Sequence, residues 1–184
     1  MPSKSRYFPV VHYADSNAEL KEVYDDIKTT FEINFVPNFF KCQGCNIELL
    51  KATWTQVKVV LFTGTVPRGV KEEIIYRISK AKNCQYCSFV HAKFIDELQQ
   101  KIKLLKGENE VELLTADEEE AVNLLVETVL GQKKGVEENL AKFETLGFTP
   151  QQIPELVATA SLTLMLNTYA DIAGINLDEE LLSG

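Results

Sequence analysis

Apolar residues recur along most of the chain at intervals of three and four, which is the spacing of one face of an α-helix. This pattern predicts a series of helices separated by polar or glycine-containing breaks. Their expected ranges are 16–32, 46–63, 68–81, 84–105, 117–131, 135–146, 150–173 and 177–183. The helices leave little room for a sheet, so the sequence predicts an all-α fold.

Helix capping signals agree with several of these ranges. A Ser or Thr followed three residues later by Glu is the signature of a capping box, and Pro favours the first position of a helix. Such signals are Ser16 with Glu19, Thr115 with Glu118, and Thr149 with Pro150. Gly147 is expected to end the helix over 135–146, because glycine readily adopts the left-handed conformation of a C-cap.

The most apolar segment, residues 156–166, is too short to cross a bilayer. A membrane-spanning helix needs about 20 apolar residues, whereas this run meets Asn167 and Asp171 before it reaches that length. The segment predicts a helix that is buried on most sides, at the centre of a bundle or in a subunit interface. No membrane partner is expected.

Length and charge narrow the function classes. The chain has 184 residues, enough for a full hydrophobic core in one domain or in two fused helical units. Its net charge of −8 argues against nucleic-acid binding, which needs clustered Lys and Arg. No apolar segment follows the first six residues, so we expect no secretory signal and a cytoplasmic protein.

Two thiols and an imidazole occur at helical spacing near the middle of the chain. Cys87 follows Cys84 by three residues and His91 follows Cys87 by four, so the three side chains share one helix face. Asn83 is a good N-cap residue, and a helix beginning there favours a thiolate over a thiol near its first turn. The pattern predicts a redox dithiol that needs no cofactor.

A carboxylate and a hydroxyl complete a more specific motif. Glu72 lies twelve residues before Cys84, and Ser79 lies five before it. With Lys71, Cys87 and His91, this set resembles the core motif of the alkylhydroperoxidase D-like branch of the carboxymuconolactone decarboxylase superfamily. Residues 35–40 and 49–54 also resemble the region that precedes this core in peroxidase-related members, so the resemblance covers roughly residues 20–105.

The resemblance implies a fold and an assembly. It implies a helical bundle of the alkylhydroperoxidase D-like type, and a homotrimer or an assembly of trimers. Members often contain two related helical units with one active site. Glu155 aligns with Glu72 if residues 115–184 form the second unit, but Cys84 then falls on Asn167, so that unit lacks the redox residues. We treat residues 1–184 as a single all-helical domain.

The resemblance also implies a thiol-dependent peroxidase. Cys87 is expected to attack the hydroperoxide, His91 to act as base, and Glu72 to hold His91 directly or through water. Cys84 would then resolve the sulfenic acid, and an external dithiol reductant or reductase protein would restore the pair. Ser79 and Tyr86 are accessory candidates. Some family members have a second His where this chain has Tyr86. Tyr86 is expected to line the entrance or, as an exposed aromatic side chain between the cysteines, to pack at an interface.

Other interpretations stay open at this stage. Cys42, Cys45, Cys84 and Cys87 form two Cys-x-x-Cys pairs that also suit a structural zinc site. A decarboxylase acting on a lactone acid would leave the cysteines without a role. Cys42 and Cys45 precede a helix whose expected N-cap is Asn46, and they are accessory candidates as a local disulfide or second redox relay. They also suit two small residues in a loop.

Overall fold

The computed structural model describes residues 7–107, 112–131 and 136–182. Within these ranges the chain forms helices and no strand, which confirms the predicted all-α fold. A short 3₁₀ helix, Tyr13–Asp15, precedes the α-helices. The α-helices are α1 (Ala18–Phe31), α2 (Asn38–Lys41), α3 (Ile47–Phe62), α4 (Arg68–Ala81), α5 (Gln85–Lys106), α6 (Ala116–Leu130), α7 (Val136–Thr145), α8 (Gln152–Ala173) and α9 (Glu179–Leu182).

The predicted helices lie within a few residues of the observed ones, but the sequence analysis missed α2. With four residues, α2 is too short to show a helical period. The capping box of Thr115 and Glu118 is present in both directions. The box predicted at Ser16 is wrong, because Asn17 caps α1 by accepting a hydrogen bond from Leu20 N.

Helix α4 lies at the centre of the fold, packed against α5, α6 and α8. It divides its apolar residues between two hydrophobic cores. Ile75 belongs to the core formed mainly with α1, α3 and α5, and this core contains Cys84 and Cys87. Ile74 and Ile78 belong to the core formed with α6 and α8. The division of the chain into two related units stays a prediction.

Helix α8 packs against α3, α4, α5 and α6. By length and composition α8 is apolar enough to cross a membrane. An 18-residue stretch of it has a mean hydropathy of 1.2, and half of that stretch is buried inside the fold. Val157, Met165 and Ile172 are 41%, 42% and 63% exposed on its outer face. Most of residues 156–166 are buried, as predicted, and one face of the helix is open.

The connection between α4 and α5 corrects the role predicted for Asn83. Its φ of 58° places it in the left-handed region, which Asn tolerates better than most residues. Asn83 N donates to Lys80 O at 3.1 Å, and Cys84 N donates to Ser79 O at 2.9 Å. These two bonds form a Schellman motif that ends α4. Asn83 thus closes the first helix, and Cys84 occupies the N-cap position of the second.

Candidate active site

The two cysteines lie at the start of α5, inside the protein. Cys84 has no exposed surface and Cys87 is 4% exposed. Both are reduced thiols, and a hydrogen bond joins them. The Cys84 thiol also donates to the backbone oxygen of Asn167 on α8, with an Sγ–O distance of 3.9 Å. The structure thus brings Cys84 and Cys87 together beside α8.

The pKa of Cys87 is raised well above that of an ordinary thiol. The largest cause is its hydrogen bond with Cys84, and the next is burial. A backbone hydrogen bond at the start of α5 acts in the opposite direction, but its effect is smaller. The expectation that the helix N-terminus favours a thiolate is therefore wrong for the resting dithiol. Ionisation of Cys87 needs a group that takes its proton.

His91 and Glu72, which the motif predicts as a base and the residue that holds it, contact each other directly. His91 Nδ1 lies 2.5 Å from Glu72 Oε2. Arg68, one turn before Glu72 on α4, donates from Nε to Glu72 Oε1 at 2.6 Å and adds a second contact from Nη2 to that oxygen. The carboxylate thus joins a cation on its own helix to the imidazole on α5.

Glu72 has no exposed surface, and this burial is the largest influence on its pKa, in the upward direction. Charge attraction and hydrogen bonding from His91, followed by those from Arg68, act in the opposite direction. Together they outweigh burial and hold the pKa of Glu72 below its usual range. Glu72 is therefore a carboxylate at neutral pH, and it orients the His91 ring.

Cys87 and His91 line one small cavity of about 50 Å³. Its walls come from α1, α2, α3, α5 and α8 and are almost entirely apolar. The aromatic walls are Phe31, Phe39, Phe40 and Phe94. A reactant in this cavity meets the thiol and the imidazole together, and it meets little else that is polar.

A second, wider cleft of about 360 Å³ lies beyond Glu72. Arg68 and Glu72 line it, and so do Glu32, Glu97 and Lys101. Two phenylalanines of the apolar cavity, on α1 and α5, line this cleft as well, so the two spaces share a wall. The Glu72–His91 hydrogen bond runs from the polar cleft to the apolar cavity.

Tyr86 is buried at 6% exposure, so the exposed position predicted for it is wrong. Its hydroxyl donates to Asp178 Oδ2 at 2.7 Å and accepts a hydrogen bond from Phe39 N at 3.3 Å. Asp178 Oδ1 accepts a bond from Asn38 N, the first residue of α2, at 2.6 Å. Tyr86 lines the cavity and, through Asp178, fixes the segment that covers it.

Ser79 is buried, and its hydroxyl donates to Asn167 Oδ1 at 2.9 Å. Since Asn167 also accepts from Cys84, it touches both ends of the turn between α4 and α5. In the sequence, Asn167 stands out only as the residue that ends an apolar run. A buried amide in such a run was the available signal, because polar groups inside proteins normally have a specific partner.

Cys42 and Cys45 lie in the turn between α2 and α3, where Cys42 is buried and Cys45 is exposed. Within the described parts of the chain, no three His, Cys, Asp or Glu side chains come close enough to hold a metal ion. The zinc site that would combine the two cysteine pairs is therefore not supported. Asn46 caps α3 as predicted, since it accepts a hydrogen bond from Leu49 N.

The fold resembles solved structures, although no protein-family model and no curated protein sequence matches the chain. An uncharacterized peroxidase-related protein from Silicibacter sp. TM1040 matches with a TM-score of 0.80 and 16% identity, over 98% of this chain and 95% of that one. An alkylhydroperoxidase AhpD core protein from Ralstonia eutropha JMP134, also described as peroxidase-related, matches with a TM-score of 0.79, 16% identity and the same coverage.

A third structure is a variant of the debrominase Bmp8 in complex with 2,3,4-tribromopyrrole. It matches with a TM-score of 0.75 and 16% identity, over 98% of this chain and 96% of that one. At this identity the matches show the fold, which is the alkylhydroperoxidase D-like fold that the sequence motif predicted.

Proposed function

From the alkylhydroperoxidase D-like fold and the buried dithiol, we propose that this chain is a thiol-dependent peroxidase. The observation that carries the proposal is the cavity in which Cys87 and His91 meet, with His91 held by Glu72. A thiol that reacts with a peroxide needs a base beside it and a second thiol to close a disulfide. The site supplies both within two turns of α5.

In the first step the Cys87 proton passes to His91, and the thiolate sulfur attacks one oxygen of the hydroperoxide. The O–O bond breaks, Cys87 becomes a sulfenic acid, and the other oxygen leaves as an alcohol after accepting the proton from His91. Glu72 stabilises the imidazolium that exists between these transfers, because its carboxylate contacts Nδ1. Cys87 loses two electrons, and the hydroperoxide gains them.

In the second step the Cys84 sulfur attacks Cys87, and water leaves as the disulfide forms. The hydrogen bond between the two thiols supports this step. An external dithiol then reduces the disulfide by exchange. We expect the cavity wall of α2 to move for that exchange, because Cys84 has no exposed surface and Cys87 is only 4% exposed.

The apolar cavity favours a hydroperoxide with an apolar organic substituent over a charged one. At about 50 Å³ the closed cavity holds little more than the peroxide oxygens. A larger substituent has to displace side chains of the cavity wall. Since α2 is a single helical turn whose Phe39 and Phe40 line the cavity, it is the element that we expect to yield.

A second candidate is reductive dehalogenation of a small aromatic ring. The aromatic walls of the cavity favour it, together with the fold shared with a debrominase. In this reaction the Cys87 thiolate takes the halogen as a sulfenyl halide, the ring carbon takes a proton, and Cys84 displaces halide as the disulfide forms. One dithiol supplies two electrons, as in the peroxidase reaction.

Single-turnover measurements on cysteine variants test the peroxidase proposal. We expect Cys87→Ser to consume no hydroperoxide, because the attacking sulfur is lost. Cys84→Ser is expected to consume one equivalent and to leave a sulfenic acid that a dimedone reagent traps. Reversed results assign the attack to Cys84. If neither variant changes peroxide consumption, the chain is not a peroxidase of this kind.

Substrate comparison separates the two candidate reactions in the same protein. Reduced wild-type protein is mixed with an alkyl hydroperoxide or with a bromopyrrole, and alcohol and bromide are quantified against disulfide formed. A peroxidase forms disulfide only with the hydroperoxide. Stoichiometric bromide release without peroxide consumption supports dehalogenation instead. In whichever of the two reactions the protein catalyses, His91→Leu is expected to slow the first step by about 100- to 10,000-fold.

A further inference from the structure

The turn between α2 and α3 follows a tight helical path at Cys42 and Cys45. Gly44 N donates to Lys41 O at 3.2 Å, and Asn46 N donates to Gln43 O at 2.9 Å, so the bonds span three residues as in a 3₁₀-helix. In this geometry side chains three apart eclipse each other, and their Cα atoms lie roughly 6 Å apart. A disulfide requires about that separation.

Two tyrosines show that both sulfurs occupy the same region. Burial raises the pKa of Tyr24, and it raises the pKa of Tyr169 to about 12; both Cys42 and Cys45 add to each shift. Each thiol therefore lies within electrostatic range of the same two rings. This proximity agrees with the spacing of the two cysteines along the turn.

The turn is also held in place by close packing. A β-carbon on Gly44 would lie 2.4 Å from Tyr24 Oη and 2.9 Å from Val11 Cβ, so the backbone is pressed against these side chains. Tyr24 Oη in turn donates to Val11 O at 3.0 Å. A rigid turn keeps the two thiols near each other and lowers the entropy cost of joining them.

We propose that Cys42 and Cys45 form a second redox-active dithiol, separate from Cys84 and Cys87, that exchanges with external disulfides. The two cysteines differ in access: Cys45 is exposed, whereas Cys42 is buried at 2% exposure. An incoming disulfide therefore meets Cys45 first. The site does not depend on the reaction at Cys87, and it stands or falls independently of the peroxidase proposal.

The exchange proceeds in two balanced steps. The Cys45 thiolate attacks one sulfur of an external disulfide, and the other sulfur leaves as a thiolate, giving a mixed disulfide. Cys42 then attacks the Cys45 sulfur, the second external thiol leaves, and the Cys42–Cys45 bond closes. The protein loses two electrons and two protons, and the external disulfide becomes two thiols. An external dithiol reverses both steps.

Glutathione titration of the wild-type protein tests this proposal. The protein is equilibrated in buffers of graded reduced and oxidised glutathione, quenched with acid, alkylated and digested with trypsin. Cleavage after Lys41 and Lys51 places one pair on peptide 42–51, and cleavage after Lys82 and Lys93 places the other on peptide 83–93. We expect peptide 42–51 to lose two hydrogen masses in one two-electron transition.

The folded turn should also favour this disulfide over the unfolded chain. At a given glutathione ratio, we expect the ratio of disulfide to dithiol in peptide 42–51 to be about tenfold higher in the native protein than in concentrated urea. Cys45→Ser is the control, and it should leave Cys42 as a thiol without altering peptide 83–93.

Three results overturn the proposal. One is a peptide 42–51 that stays fully reduced in oxidised glutathione. Another is glutathione attached to each cysteine without an internal disulfide. The third is a disulfide that links peptide 42–51 to peptide 83–93. The state of peptide 83–93 is read from the same samples, so a failure of the dithiol at Cys84 is distinguished from a failure of this second site.

Discussion

Glu72 is the residue on which the proposed chemistry depends most, because it is wholly buried yet ionised. Two groups make this state stable: His91 on α5 and Arg68 on α4. Arg68 is itself fixed, since its guanidinium lies 4.0 Å from the centre of the Phe62 ring. Without Arg68, the buried carboxylate has His91 as its remaining charged partner, and its ionised form becomes less stable.

We predict that Arg68→Met raises the pKa of Glu72, because one of two attractive charges is lost. The carboxylate then forms at higher pH. The pH below which the rate of the Cys87 reaction falls should therefore rise by about one to three pH units. The other charged groups at the cleft are Glu32, Glu97 and Lys101. The measurement is the rate of iodoacetamide alkylation of peptide 83–93 against pH, in a Cys84→Ser background.

Arg77→Met is the matched control for this prediction. Arg77 also lies on α4, and it pairs with Glu73 one turn away at 2.8 Å and with Glu119 on α6. Its loss breaks the same kind of contact outside the site, so the pH profile of Cys87 should not move. An equal shift in both variants would mean that Arg68 acts only through the general stability of the protein. Arg68→Lys keeps the positive charge and should restore part of the wild-type pH profile.

The sequence predicted those site residues that lie on one face of a single helix. Cys84, Cys87 and His91 share a face of α5 because the period of a helix is fixed. Arg68 stands four residues before Glu72 and was accessible to the same argument, but it was missed. Asn167 was not accessible in this way, since its bond with Ser79 joins residues 88 apart in sequence. Such a contact depends on how α8 packs.

The four-residue helix α2 shows how a distant segment stabilises a local element. Four residues cannot maintain a helix alone, because nucleation is costly. Asp178, which follows α8, accepts bonds from Asn38 N at the start of α2 and from the Tyr86 hydroxyl. Lys41 Nζ, at the end of α2, donates to Asn38 Oδ1 at 3.2 Å. The C-terminal segment therefore fixes the wall of the apolar cavity.

We predict that Asp178→Ala destabilises the protein and loosens α2. The Tyr86 hydroxyl and Asn38 N lose their acceptor while buried, and we expect a loss of about 2 to 5 kcal/mol in the free energy of unfolding. Urea denaturation measures this change, and Cys87 should become alkylated faster as α2 opens. Asp96→Ala, at an exposed position on α5, is the control and should change neither quantity.

The predicted start of α5 was wrong because Asn83 suits two different roles. Asn83 is a good N-cap and also a good residue for the left-handed position after a helix. The connection between α4 and α5 is so short that these roles compete, and the Schellman bonds decide the outcome. Local preference alone could not choose between them, whereas the long helices were set by their apolar period.

For the whole molecule, the open face of α8 is the feature that bears on assembly. Met165, Tyr169 and Ile172 line a groove of about 500 Å³ with Phe8 from the N-terminal segment. Apolar surface of this kind on a helix that also forms the core suits contact with another protein surface. We propose that a second copy of this chain covers it, in line with the trimeric assemblies that the sequence resemblance implies.

We predict that Ile172→Asp shifts the protein toward monomers, because a charge at this face opposes burial in a subunit contact. Ile172 is 63% exposed in the single chain, so the substitution should leave folding intact. Multi-angle light scattering at micromolar concentration measures the mass. Val59→Asp, at a 53% exposed position on α3, is the control and should not change assembly. A monomeric wild-type protein contradicts the proposed assembly.

The polar cleft and the apolar cavity lie on opposite sides of a shared wall. In the proposed reaction, we expect protons to reach His91 from the cleft and organic molecules to reach it from the cavity. The Glu72–His91 bond crosses this wall, whereas the shared phenylalanines close it to larger species. A compound that fills the cavity would therefore leave the bond between His91 and Glu72 in place. Inhibitors of that kind should compete with the organic reactant while leaving hydrogen–deuterium exchange at His91 unaffected.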